Sequence, residues 1–186
     1  MSKISEHPKR SYPKPPFPQQ AQKSPGRERE LRPNADHGER SYEGSGKLVG
    51  RKALITGADS GIGKAVAIAF AREGADIFIS YLNEKEDAED TAYWVKKAGR
   101  KAILDGGDIT DEGHCQKMVR RAVDEFGEPH ILDNARGRGR KLRRTKPTER
   151  PAQPVEIAPV YVPLACSDAT YISGATIPVT GGRPVI

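Results

Sequence analysis

A glycine-rich turn carries the residues of this chain that are best suited to chemistry. Residues 56–63 read TGADSGIG, with glycines at positions 57, 61 and 63. Gly57 permits a tight turn, Gly61 lets a phosphate approach the backbone, and Gly63 lets a helix pack against a sheet. The free N–H groups and the positive end of such a helix favour an anion. The turn therefore predicts a site for the diphosphate of a dinucleotide, and the alternative is an ordinary glycine-rich connection between a strand and a helix.

The elements around this turn must place it at the edge of a sheet. An apolar run, KALIT at 52–56, comes before the turn, and apolar residues at helical spacing follow it. The same alternation continues with predicted strands at 77–81, 101–104 and 130–132 and helical faces at 88–98 and 115–126, the last capped at Asp111 and stopped at Gly127. Strands that alternate with helices of this length form a parallel sheet that is covered on both faces. The fold class is therefore α/β, a Rossmann-like doubly wound parallel sheet with the strand order 3-2-1-4.

Several motifs occur in one order along the chain. TGADSGIG is followed by Asp108-Ile109 after the third strand, by Asp133-Asn134-Ala135 at the end of the fourth, and by YISGATIPVTGG near the C-terminus. Together they resemble the short-chain dehydrogenases/reductases, in which the third motif reads Asn-Asn-Ala-Gly. The start of the chain, from KPPFPQQ through DHGERSYEGSGKLVGRKALITG, is similar to a bacterial subgroup with a proline-rich N-terminal extension.

The resemblance implies an NAD(P)-dependent oxidoreductase that transfers hydride between the cofactor and a small alcohol or carbonyl compound. Asp108 and Ile109 would meet the adenine. The residues expected to line the cofactor are Gly57, Asp59, Ser60, Gly61, Ile62, Gly63, Asp108, Ile109, Asn134 and Ala135. The choice between NAD and NADP stays open, because the second strand ends at Tyr81 rather than at an acidic or basic residue. Lys64 could reach a phosphate.

The catalytic residues of the family have no counterpart in this chain. Family members place a Ser after the fifth strand and a Tyr-x-x-x-Lys pair on the next helix, and at least two strand-helix units are missing here before the late helix. Ser80, Tyr93 and Lys97 reproduce the spacing, but they fall after the second strand and on the helix behind it, so we interpret the match as chance. We assign no catalytic residue and expect cofactor contact without hydride transfer.

Composition divides the chain of 186 residues into four parts. Residues 1–46 hold seven of the fifteen prolines and predict an extended arm, either free or lying across a partner subunit. Residues 47–135 are the N-terminal half of a dinucleotide-binding domain, and 136–150 form a basic, linker-like segment. Residues 151–186 are expected to add a helix beginning at Pro154 and a strand at 175–180 to the same domain, which is therefore incomplete.

Positive charge is concentrated in the segment 136–150. It holds eight Lys or Arg and one Glu, whereas the rest of the chain has a net charge of −1. Such a run could bind nucleic acid through phosphates, but it has no aromatic residue for base stacking. A solvated linker is a second interpretation, and out-of-frame translation of the missing catalytic units is the one we favour. For the whole chain, the alternatives to an impaired oxidoreductase fragment are a non-catalytic nucleotide-binding or basic nucleic-acid-binding module and a gene remnant.

The sequence argues against several other classes of protein. Cys115 and Cys166 have no CxxC partner, which argues against a disulfide framework and a zinc-thiolate site and suits the cytoplasm. No apolar run approaches the roughly 20 residues of a membrane helix. The histidines are isolated, so no metal site is expected. A nicotinamide dinucleotide is the expected partner, nucleic acid is disfavoured, and the sequence reveals neither the substrate nor whether the chain forms a homo-oligomer.

Overall fold

The core of the fold is a four-stranded parallel sheet. In the computed structural model, which describes residues 12–18, 20, 28–134 and 150–181, the strands are hydrogen-bonded in the order β3-β2-β1-β4. Their bounds are Lys52–Thr56 (β1), Asp76–Tyr81 (β2), Ala102–Gly106 (β3) and Ile131–Asn134 (β4). The order confirms the predicted Rossmann-like α/β fold.

Each of the first three strands is followed by a helix. The helices are Gly61–Arg72 (α1), Lys85–Lys97 (α2) and Glu112–Phe126 (α3), and the short helices Pro154–Ile157 (α4) and Tyr161–Ala165 (α5) come late in the chain. The carboxylate of Asp111 caps α3 by accepting from the Gly113 N–H at 2.9 Å, and Gly127 follows its last residue with a φ of 79°. The residues that cap and end α3 are therefore the ones predicted from the sequence.

The two faces of the sheet are covered unequally. Helices α1 and α2 cover one face, together with α4 and α5, over a large core that includes Ile55, Ile77 and Ile79. On the other face, a smaller core joins three strands to α3, and the ring of Phe78 meets that of Phe126 edge to face at 6.4 Å. The side chain of Leu132 on β4 is 74% exposed, so α3 leaves the β4 side of this face uncovered.

The C-terminal part departs from the prediction. A 3₁₀ turn, Ala158–Val160, separates α4 from α5, and Pro159 and Pro163 lack the N–H groups that a continuous helix needs. The prediction of a strand at 175–180 is wrong, because these residues lie outside helix and strand, and nearly all of them are exposed. A strand is stable only beside a neighbour, and within the described residues this segment pairs with no strand of the sheet.

The described part of the arm folds onto its own chain. It includes a 3₁₀ turn at Glu28–Glu30. The buried carboxylate of Glu73, just after α1, accepts from the Tyr42 hydroxyl at 2.6 Å and from the N–H groups of Ser45 and Lys47 at 2.8 and 3.0 Å. Leu48 is fully buried in the larger core.

The arm also meets the late helices. The Asp36 N–H donates to Gln153 Oε1 at 3.0 Å, and the Val155 N–H donates to the Asp36 carbonyl at 3.0 Å. Two segments that lie more than a hundred residues apart in sequence are therefore joined at the start of α4. None of the helices in the described ranges is long and apolar enough to cross a bilayer.

Candidate functional site

The carboxyl ends of β1 and β4 border a crevice. The chain leaves β1 toward β2 on one side, whereas β4 lies on the other side of β1. Ligands of open parallel sheets bind where the connections diverge in this way. The Thr56 hydroxyl donates to Asn134 Oδ1 at 2.8 Å and ties the two strand ends together. The glycine turn after β1 and the predicted residue Asn134 therefore share one edge.

The backbone of the turn requires glycine at two places. Gly57 and Gly61 have φ values of 64° and 53°, in the left-handed region that disfavours other residues. A Cβ at Gly63 would overlap the carbonyl group of Gly57. A Cβ at Gly61, in contrast, would meet no atom within 4 Å, so space is open on that side of the residue.

The geometry of the turn fits an anionic group. Helix α1 begins at Gly61 and has no acidic residue in its own first turn. The N–H of Lys64 already donates to the Ser60 carbonyl at 3.1 Å, whereas the N–H groups of Ile62 and Gly63 come too early in the helix to have an intrahelical acceptor. Together with the open space at Gly61, these amides could hold a diphosphate.

Asp108 and Ile109 lie beyond β3, two strands from the turn, or about 10 Å across the sheet. The Thr110 N–H donates to Asp108 Oδ1 at 2.8 Å, and this hydrogen bond lowers the pKa of the exposed Asp108 carboxyl. Ile109 is also exposed. A carboxylate and an apolar side chain are therefore both accessible at the same carboxyl edge, where the adenine is expected.

Asp133 carries a half-buried carboxyl group on β4. Its Oδ2 atom has no hydrogen-bond partner in the described structure, and burial raises its pKa to about 6. The pKa of the nearby Tyr161 is raised as well, by burial and by the Asp133 charge. An acid therefore stands where the resembling motif has Asn, without the donors that would stabilise its charge.

No pattern in the sequence indicates that the arm reaches the glycine turn. Glu28 Oε1 accepts from the Gly61 N–H at 2.8 Å and lies 2.8 Å from His37 Nε2. His37 is 3% exposed, and its Nδ1 lies 2.9 Å from Glu39 Oε1. Nothing in the proline-rich composition marks Glu28, and the closeness of His37 to Glu39 in sequence is the only local signal.

The charges of this cluster stabilise one another. Burial lowers the pKa of His37, but hydrogen bonds with Glu28 and Glu39 outweigh it and raise that pKa overall. Burial likewise raises the pKa of Glu28, and His37, the Gly61 N–H and Lys64 outweigh it and lower that pKa. Lys64 Nζ lies 2.7 Å from Asp90 Oδ2 and 3.7 Å from Glu28 Oε2. The side chain that was expected to reach a phosphate is therefore held by two carboxylates.

The Ser-Tyr-Lys spacing does not correspond to a catalytic set. Ser80 is 1% exposed inside the sheet, whereas Tyr93 is 55% exposed on α2. The Lys97 ammonium group lies 4.6 Å from the centre of the Trp94 ring, on the outside of the same helix. Within the described ranges, no three His, Cys, Asp or Glu side chains are grouped as a metal site.

Two sequence predictions concern residues largely outside the described structure. Ala135, the last of the expected cofactor residues, lies outside the described residues. The basic segment 136–150 also lies outside them, except for its last residue. That residue, Arg150, has a buried side chain that forms a two-pronged ion pair with Glu156 at 2.6 and 2.7 Å.

Known proteins resemble this chain over part of its length. Residues 51–153 match the short chain dehydrogenase family. The uncharacterized oxidoreductases YhxD and YhdF of Bacillus subtilis (strain 168) are 47% and 49% identical over 137 and 117 residues, which are 72% and 63% of this chain and 46% and 40% of theirs. A solved short-chain dehydrogenase/reductase from Serratia marcescens BCRC 10948 is 36% identical over 48% of this chain and 36% of its own, with a TM-score of 0.47. The chain thus spans less than half the length of these curated relatives.

Proposed function

The chain belongs to the short-chain dehydrogenase/reductase family, and we propose that it binds a nicotinamide dinucleotide along the carboxyl edge of its sheet. The observation that carries the proposal is the turn after β1. Gly57 adopts a left-handed conformation there, Gly63 has no room for a Cβ, and space is open on the side of Gly61 where a Cβ would point, although its N–H already donates to Glu28. Backbone N–H groups at a helix start of this kind bind phosphates.

The remaining expected residues extend the site on both sides of the turn. The diphosphate would lie against the N–H groups of Ile62 and Gly63. The adenosine half would run toward Asp108 and Ile109 beyond β3, and the nicotinamide half toward Asn134 at the end of β4. Asn134 already accepts a hydrogen bond from Thr56, which holds its side chain at the crevice.

The family's chemistry is the oxidation of an alcohol or the reduction of a carbonyl compound, with the bound dinucleotide accepting or supplying the hydride. The described part of this chain contributes binding groups to that reaction but no Ser with a Tyr-x-x-x-Lys pair at the crevice, and Ser80, Tyr93 and Lys97 lie apart from it. We therefore propose that the chain binds the cofactor without transferring hydride.

Titration with NAD and with NADP tests the binding. We expect the backbone amide signals of Gly61, Ile62 and Gly63 to shift as the nucleotide is added, while signals from the outer face of α3 stay in place. If the signals of the turn do not move at millimolar nucleotide, the chain has no dinucleotide site.

An absorbance assay tests the absence of hydride transfer. Purified protein is mixed with NAD or NADP and a panel of alcohols, or with the reduced cofactors and a panel of ketones and aldehydes. We expect no steady change in nicotinamide absorbance above a protein-free control. A rate proportional to the protein concentration would show that the chain is a complete enzyme.

A further inference from the structure

The arm lies against the turn that is expected to hold the diphosphate. Glu28 Oε1 accepts from the Gly61 N–H at 2.8 Å, so one backbone donor at the start of α1 already binds a carboxylate of the chain itself. A carboxylate and a phosphate compete for such a donor, because both are anions that accept from it. The next residue is Ile62, and consecutive Cα atoms lie about 3.8 Å apart. A diphosphate at the Ile62 N–H would therefore lie beside the charge of Glu28.

The same carboxylate also engages a basic side chain of α1. Lys64 Nζ lies 3.7 Å from Glu28 Oε2 and 2.7 Å from Asp90 Oδ2, and the Lys64 side chain is only 9% exposed. The Gly61 N–H and the Lys64 ammonium group would both favour an anion at this end of the helix. Glu28 contacts both of them, so it offsets the positive potential that a phosphate would meet there.

A buried histidine holds Glu28 in this position. His37 is 3% exposed, and its two ring nitrogens lie 2.8 Å from Glu28 Oε1 and 2.9 Å from Glu39 Oε1. The Glu28 side chain is itself 11% exposed, yet its Oε2 atom has no hydrogen-bond partner in the described structure. A buried carboxylate oxygen without a donor costs free energy. The contact with the turn is therefore formed but incompletely satisfied, which favours its exchange for another anion.

A second attachment of the arm lies at the opposite end of α1. Glu73, just after the helix, accepts from the Tyr42 hydroxyl at 2.6 Å and from the Ser45 N–H at 2.8 Å. Helix α1 has 12 residues, and a helix of this length spans about 18 Å. The contact at Gly61 can therefore break while the arm stays attached at Glu73.

We propose that the arm is autoinhibitory: the Glu28 carboxylate occupies the anion position at the start of α1, and a dinucleotide binds by displacing it. The inference rests on the proposed function and goes beyond it, because it gives the arm control over access to the turn. When the dinucleotide binds, the 3₁₀ turn Glu28–Glu30 withdraws, and the Gly61 N–H and the Lys64 ammonium group lose Glu28 as a partner.

Calorimetric titration of the whole chain and of the variant Glu28→Gln with NAD tests the proposal. The substitution keeps the shape of the side chain and removes the charge that competes with the phosphates. We expect the variant to bind NAD about tenfold more tightly, as for a turn that is free in about one unmodified chain in ten. A role confined to supporting the turn would instead weaken the binding. Glu30→Gln, an exposed change in the same 3₁₀ turn, should leave the affinity unchanged.

The ring signals of His37 test the displacement in the unmodified chain. As the chain is saturated with NAD, we expect nuclear magnetic resonance to show these signals moving, because His37 loses its hydrogen bond with Glu28. His130 is exposed and lies at the amino end of β4, away from the turn, so its ring signals should stay in place.

The outcomes separate this inference from the proposed function. NAD binding that leaves the His37 signals unmoved would overturn the inference while supporting a dinucleotide site. Equal or weaker binding of NAD by a folded Glu28→Gln protein would also overturn it. If neither the unmodified chain nor the variant binds NAD, the proposed function fails and the inference fails with it. The His37 measurement needs no variant, so a substitution that fails to fold leaves the inference testable.

Discussion

Gly63 lies where the first turn of α1 passes over the carbonyl group of Gly57, with no room for a side chain. We expect Gly63→Ala to push α1 away from the turn, to destabilise the fold by about 1 to 3 kcal/mol, and to abolish NAD binding. Thermal unfolding and calorimetric titration measure the two effects.

The matched control for this change is Gly113→Ala in the first turn of α3. A Cβ there would touch only the flexible Asp111 side chain, at 3.3 Å, so we expect stability to be unchanged or slightly higher and NAD binding to be retained. Equal behaviour of the two alanine variants would contradict the assignment of Gly63 to the close contact with the turn.

Asp133 is a buried acid whose environment disfavours its charge. Its pKa in the folded chain is about 6, above the ordinary value of 3.8, so the folded state binds a proton more tightly than the unfolded state between these values. Stability therefore falls as pH rises from about 4 to 6 and stays lower above that range. We expect Asp133→Asn to stabilise the chain by about 1 to 2 kcal/mol at pH 7.5, after allowance for partial solvent screening, and by almost nothing at pH 4.

Urea unfolding of both proteins at the two pH values measures this difference. A constant difference between them across the range would mean that the Asp133 carboxyl does not titrate as its burial implies. The exposed Asp124→Asn variant controls for the removal of one negative charge from the whole molecule.

At the scale of single residues, the site was predictable from the sequence where the local backbone conformation requires a particular residue type. The spacing of Gly57, Gly61 and Gly63 reflects steric limits that act within eight residues, so it can be read without a structure. The partners of Asp133 and Glu28 come from distant segments, and no local pattern shows whether a carboxyl will meet donors, as Glu28 does, or none, as Asp133 does.

Among the elements, the arm is held to the sheet domain by the contact of Glu28 with the start of α1. Glu28→Gln keeps an oxygen for the Gly61 N–H but removes the charge that His37 and Lys64 face. We expect this variant to lose about 1 to 3 kcal/mol of stability, because the turn is less firmly held. Glu30→Gln, an exposed change in the same 3₁₀ turn, should leave the stability unchanged.

The effect of Glu28→Gln should depend on pH. The pKa of His37 is raised in the folded chain, so the stability that its protonation contributes is complete below about 6.5 and is lost as pH rises through the folded pKa. Thermal unfolding of the variant and the unmodified chain at several pH values should show the largest gap at acidic pH. A gap that widens toward alkaline pH would contradict a protonated His37 between Glu28 and Glu39.

The strands and long helices were predictable because each has its own hydrophobic period and its own stop signal, such as Asp111 and Gly127 around α3. The segment 175–180 has the composition of a strand, but a strand also needs a neighbour, and within the described residues this segment pairs with none. The arm was interpreted as extended from its prolines, and its contacts with Glu73 and Gly61 depend on residues that no periodicity marks.

On the scale of the whole molecule, the described residues cover one face of the sheet only partly. Leu132 on β4 is 74% exposed, and Val119 and Val123 on α3 are 52% and 44% exposed. We expect this apolar surface to make the chain self-associate at high concentration. The change Leu132→Lys should reduce that association, measured by sedimentation velocity, with little effect on the unfolding temperature.

Leu164→Lys is the matched control, because Leu164 is also partly exposed but lies on α5, against the other face of the sheet. If both lysine variants reduced association equally, the effect would come from net charge rather than from the face beside α3. If Leu132→Lys had no effect, the exposed leucine would not be part of the contact.

The hydrogen bonds of Asp36 with Gln153 and Val155 impose an order of events on synthesis. As the chain emerges from the ribosome, the glycine turn and the strands around it are complete long before the residues that fasten the arm have left the exit tunnel. Until Gln153 and Val155 have left the tunnel, the early segment is held by contacts such as those near Gly61 and Glu73. The start of α4, which is made late, thus fastens a segment of the arm that is made early.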